Sequence, residues 1–159
     1  MTATGEPEST ALRAGDPLTP RELAAWRGLL RVHAEVTREL DVQLRAEHGL
    51  SVSSYEVLLF LGQAEDRRLR MADIADRVLL SRSGLTRLCD RLVELGYVTR
   101  SSAEGDGRGL YATLTPVGAE KLEAAGRSHR AAVRALFLDR LPGADQDALA
   151  RIWSGLLDV

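Results

Sequence analysis

The apolar residues of this chain leave helical period at one place, Gly96, and that change limits the folds open to it. Ahead of Gly96 they recur at helical spacing. Behind it Tyr97-Val98-Thr99-Arg100 and Leu110-Tyr111-Ala112-Thr113-Leu114 alternate, separated by the turn-rich run from Ser102 to Gly109. Long helical stretches with a single alternating pair predict an all-α chain carrying one small β-wing, a hairpin whose tip glycines loosen it. The helices declare themselves by their starts: Thr19-Pro20-Arg21-Glu22 joins a capping box to proline at the first helical position, and Thr115-Pro116 repeats the device.

From Thr19 the stripe Leu23, Trp26, Leu30, His33, Thr37, Leu40 and Leu44 predicts a helix to His48, stopped by Gly49. A second flank, Leu29, Val32 and Val36, widens the stripe enough for two partners. Ser53-Ser54-Tyr55-Glu56 reads as another capping box, opening a nearly all-buried helix through Val57–Leu61 to about Asp66. After the basic connection Arg67-Arg68-Leu69-Arg70, a short helix is expected over 71–78, with Ile74 and Val78 inward. Ser81 then caps a helix through Leu95 that buries Leu85, Leu88 or Cys89, Leu92 and Leu95. A short helix, a tight connection and a capped helix have the length pattern of a helix-turn-helix. Past the hairpin, Leu122, Ala125, His129, Val133 and Leu136 predict a helix to about Leu138; Pro142-Gly143 breaks it, and Leu149, Ile152, Trp153 and Leu156 mark the last one. Residues 1–17, rich in Thr, Ser, Gly, Pro and Glu and without periodicity, are expected to be a disordered tail.

A helix-turn-helix followed by a hairpin is a winged helix, an arrangement that puts one helix end in the major groove of DNA and a loop in the adjoining minor groove. The formal net charge of -2 supplies no whole-chain basic footprint, so attraction to phosphate must be local. Between Arg67 and Arg108 nine arginines stand against six acids, which confines it to this segment. Gly84, near a helix start where glycine costs propensity, reads either as close approach to a neighbour or to the DNA backbone or as simple tolerance.

Leu80-Ser81-Arg82-Ser83-Gly84-Leu85-Thr86-Arg87-Leu88-Cys89-Asp90-Arg91-Leu92, then Gly96-Tyr97-Val98, Asp106-Gly107-Arg108 and Leu114-Thr115-Pro116-Val117-Gly118, closely resembles the MarR family of bacterial transcriptional regulators over roughly residues 18–159. The resemblance implies that Arg82, Ser83, Thr86 and Arg87 open the recognition helix, that Arg108 is the wing arginine, and that Asp106 is the acid orienting the wing. The family's wing carries a second basic residue beside that arginine; here Gly107 and Gly109 flank Arg108. It further implies a homodimer on double-stranded DNA and a small, often aromatic or anionic effector, for which Trp26, His33 and His129 are the candidate lining residues. The other reading of the two histidines is as satisfied core or interface residues. His48 reads as a favourable charge near a helix C-terminus.

Cys89, spaced four after Leu85 and three before Leu92, reads as a small core hydrophobe rather than a redox sensor. A single cysteine and three scattered histidines leave no disulfide framework, no metal site and no cofactor to expect. The apolar run Val57–Leu61 is far short of the ~20 residues of a membrane span, and a cytoplasmic protein is expected. Gly105, Gly107 and Gly109 open no helix, and neither a phosphate-binding lysine loop nor a nucleophile or zinc motif is present, so an enzyme is not expected. The expected organisation is a dimerisation helix at 18–48, a DNA-binding lobe at 49–115 and dimerisation helices at 116–159. The function expected is ligand-responsive regulation, most often repression, on a pseudo-palindromic operator. The alternative is a winged-helix protein-interaction module without DNA binding.

Overall fold

The computed structural model describes residues 15–103 and 106–157, with side chains described outside 103 and 106–109. The chain divides into two compact units, Met1–Ala34 and Glu35–Val159. Helix α1 (Pro20–His48) begins in the first and ends in the second. In the first unit the expected capping box is formed: the Glu22 amide donates to Thr19 Oγ1 at 3.3 Å, and the Thr19 amide donates to Glu22 Oε2 at 2.7 Å. These bonds to Thr19 hold the Glu22 carboxyl below its ordinary pKa. Trp26, Leu29, Leu30, Val32 and His33 are all exposed here, so burial along the α1 stripe begins only at Leu40 and Leu44.

The second unit is built from α2 (Val52–Gln63), β1 (Arg68–Arg70), α3 (Met71–Arg77), α4 (Arg82–Glu94), β2 (Val98–Ala103), β3 (Asp106–Leu114), α5 (Pro116–Leu136) and α6 (Gly143–Leu157). Leu44, Leu50, Val57, Leu58, Leu61, Ile74, Leu85, Cys89, Leu92, Val98 and Ala125 close its core. Removing these side chains from water supplies the stabilising term that fixes the helices around α2.

Two features differ from expectation. Ser51, not Ser53, caps α2: its hydroxyl accepts from the Ser54 amide at 3.0 Å, while Asp41 Oδ1 on α1 accepts from the Val52 amide at 2.9 Å. A carboxylate from another helix thus satisfies the first amide, and the helix begins two residues earlier. Hydrogen bonding by Arg45 and by that amide lowers the Asp41 pKa. The basic connection, meanwhile, is a strand. Arg68 pairs with Thr113 and Arg70 with Tyr111, giving an antiparallel sheet ordered β1-β3-β2. Its inner face carries Leu69, Val98, Ala112 and Leu114 against the core; Arg68, Arg70 and Tyr111 lie on the other.

Candidate nucleic-acid interface

Ser81 caps α4 as the sequence predicts, its hydroxyl accepting from the Gly84 amide at 3.1 Å. A Cβ on Gly84 would stand 3.1 Å from that hydroxyl, so the close approach implied by this glycine is to the cap itself. Leu85, Cys89 and Leu92 are buried and Leu88 is half-buried, whereas Leu95 is exposed because the chain turns away at Gly96, with φ of +74°. With that face anchored, Arg82, Ser83, Thr86 and Arg87 stand together on the solvent side, all four exposed. Thr86 Oγ1 donates to the Arg82 carbonyl at 2.9 Å, which spends its proton and leaves its lone pairs outward. The group offers two planar cationic forks and two hydroxyls along one turn and a half, suited to guanine edges and to phosphate.

The wing is tied to this helix at its base. Arg100 of β2 forms an ion pair with Asp90 of α4, a link joining the strand that leads to the tip with the helix beside it. Asp106 and Arg108 belong to β3, and their side chains lie outside the described residues. Cys89 is fully buried, and burial pushes its thiol up to about 11, so the reactive thiolate is suppressed and the core reading holds.

Of the three residues expected at an effector site, Trp26 and His33 are exposed on the first unit. His129, in the second unit, stacks on Tyr55 with ring centroids 4.5 Å apart. Tyr55 also lines a cavity of about 450 Å³ between α2 and α5, with Leu59, Gly62, Leu122, Gly126 and Arg130. Sequence reading missed this cavity, since Tyr55 reads there only as part of a capping run. His48 is held by a 2.9 Å bond between its Nε2 and Ser128 Oγ, tying the end of α1 to α5. Among the described residues no helix is long and apolar enough to cross a membrane, and no group of three His, Cys, Asp or Glu gathers to hold a metal.

Known proteins agree with this geometry. The family model of the MarR family matches residues 48–109, the span from the end of α1 into β3. AbsC, a MarR family transcriptional regulator from Streptomyces coelicolor, is 34% identical and superposes with a TM-score of 0.82, covering 90% of this chain and 96% of that one. Sco3205, a MarR family regulator from the same organism solved in complex with DNA, is 32% identical, with a TM-score of 0.83 and 90% of each chain covered. The transcriptional repressor YetL of Bacillus subtilis is 33% identical over 78 residues, which are 49% of this chain and 47% of YetL. Recognition-helix motif, wing topology and identity over nearly the whole chain converge, and the chain belongs to the MarR family of transcriptional regulators.

Proposed function

We propose that the protein is a cytoplasmic homodimer that binds a pseudo-palindromic stretch of double-stranded DNA and represses transcription until a small aromatic or anionic effector releases it. As a member of a regulator family it is not an enzyme. The observation that carries the reading is the exposed quartet Arg82, Ser83, Thr86 and Arg87 on a helix whose opposite face is locked into the core. The DNA-bound state of Sco3205 supports DNA as the partner, and the repressor YetL supports the sign of regulation. Residues 49–115 form the DNA-binding lobe in this reading, with 18–48 and 116–159 joining the subunits. Arg108 extends the contact at the wing, with Asp106 as the acid that orients it.

The effector is taken by the cavity under Tyr55, whose apolar walls and phenol suit an aromatic ring and whose charged lining is Arg67 and Arg130 with Glu120 and Glu123; His129 acts behind Tyr55 rather than as a lining residue. Trp26 and His33 are proposed as further effector contacts. Two measurements test the reading. Arg87→Ala should weaken binding to a duplex selected by the wild-type protein about 5- to 100-fold, as loss of a base or phosphate contact requires. A phenolic acid should weaken operator binding, and operator should weaken acid binding by the same factor. Undiminished binding by Arg87→Ala would take the recognition helix off the DNA.

A further inference from the structure

Four of the described helices start on a hydroxyl: Thr19, Ser51, Ser81 and Thr115 each accept a bond from an amide of the first turn. Helix α3 does not. Its N-cap position holds Arg70, which makes no side-chain capping bond and sets a cation at the end of the helix where the backbone dipole is already positive. Helix α6, which follows Pro142, also starts without a hydroxyl, but among the described helices only α3 sets a cation at its N-cap position.

The surroundings of Arg70 say what for. Its Nε donates to the Tyr111 hydroxyl at 2.8 Å, and Arg68 lies over the same ring, 4.2 Å from its centroid, so the guanidinium is held by the sheet instead of sweeping through solvent. Held so, it borders a groove of about 380 Å³ between the wing sheet and the recognition helix, lined by Arg70, Met71, Ala72, Arg82, Leu85, Thr86 and Leu110. Two of those seven residues are cationic and none is acidic. In duplex DNA a major groove and its neighbouring minor groove are separated by one sugar-phosphate backbone. If α4 occupies one and the wing the other, the gap between α4 and β3 is crossed by that backbone.

We propose that Arg70, positioned by Tyr111, grips a phosphate of the DNA strand that passes between the recognition helix and the wing. This inference rests on the DNA-binding reading above and names a contact outside both the recognition helix and the wing tip. The charge is read through its salt dependence, and the geometry through the tyrosine.

The test uses the full chain and two duplexes, one selected by the wild type from a random pool and one of unrelated sequence, titrated at several salt concentrations. Arg70→Ser supplies a capping hydroxyl, so its thermal midpoint should rise, while affinity for both duplexes falls roughly tenfold and the salt slope drops by about one for each protomer bound. Arg70→Lys should keep the slope, and Tyr111→Phe should keep the slope while losing affinity, because it frees the guanidinium without removing charge. Arg87→Ala serves as the control. If Arg87→Ala loses selected binding while Arg70→Ser keeps the wild-type slope and affinity, the Arg70 contact is overturned and the DNA reading stands. If wild-type protein binds neither duplex, both fall together. An Arg70→Ser variant that loses affinity only in proportion to lost helix content would also overturn the contact.

Discussion

His129 sits against Tyr55 with its Nδ1 buried and without a hydrogen-bond partner. Burial depresses its pKa below the usual imidazole value, and the charge of Arg130 acts in the same direction. The unfolded chain therefore takes up a proton near pH ~6.5 while the folded protein resists it, so the unfolded state binds more protons and stability falls as pH drops through that window. His129→Phe keeps a ring against Tyr55 and removes the titration. Urea unfolding at about pH 7.5 and about pH 5.5 should show a loss in the wild type that the variant lacks; equal losses in both would assign the pH dependence to other groups. Tyr55 is shifted upward by the same burial, against a smaller opposing pull from Arg130.

Elements are joined by contacts that tolerate little change. The turn between α3 and α4 places Leu79 at φ of +53°, in the left-handed region, with 90% of its surface exposed. A non-glycine residue there costs ~1–2 kcal/mol, and no burial offsets it. Leu79→Gly should raise the unfolding free energy by about 1 kcal/mol after allowing for glycine's extra freedom in the unfolded chain. A fall measured by urea titration would mean that the leucine side chain makes a stabilising contact. At the start of α5 the opposite holds. Thr115 donates from its amide to the Tyr97 carbonyl at 3.0 Å and from its hydroxyl to the Gly96 carbonyl at 2.7 Å, and a Cβ on Gly118 would meet the Tyr97 carbonyl oxygen at 2.1 Å. Alanine is the better helix former by ~1 kcal/mol, yet a backbone oxygen cannot swing aside, so the clash decides the sign. Gly118→Ala should destabilise by about 1–3 kcal/mol. A rise in thermal midpoint would show that α5 shifts without cost.

On the scale of the whole molecule, exposed apolar side chains collect in two places, Trp26, Leu29, Leu30 and Val32 on the first unit and Ile152, Leu156 and Leu157 on α6. Ile152 is 50% exposed and Leu156 70%, far more than a lone monomer gains from leaving them wet. In the proposed homodimer these are the surfaces that the second subunit covers. Ile152→Asp and Leu156→Asp should lower the sedimentation coefficient toward that of the monomer and weaken operator binding, while leaving the folded lobe of each chain intact by circular dichroism. Variants that sediment like the wild type would remove α6 from the interface.

What was legible in the sequence was what neighbours along the chain settle among themselves. Thr19, Ser81 and Thr115 reach amides three residues on, Gly96 permits a left-handed turn, and the change of period there separates helices from hairpin; each depends on residues within one turn. The exposed quartet on α4 was legible for the same reason, since Leu85, Cys89 and Leu92 declare the opposite face. Three residues, Arg68 to Arg70, carry too little alternation to declare a strand; they become β1 only because β3, some forty residues later, pairs with them. The α2 start moved because Asp41 reaches it from another helix, and Leu95 is exposed because the chain leaves the core at Gly96. Arg70 beside Tyr111 and the cavity under Tyr55 are likewise meetings of residues far apart in the chain, and a pattern read along one dimension holds no distance between them until the fold closes.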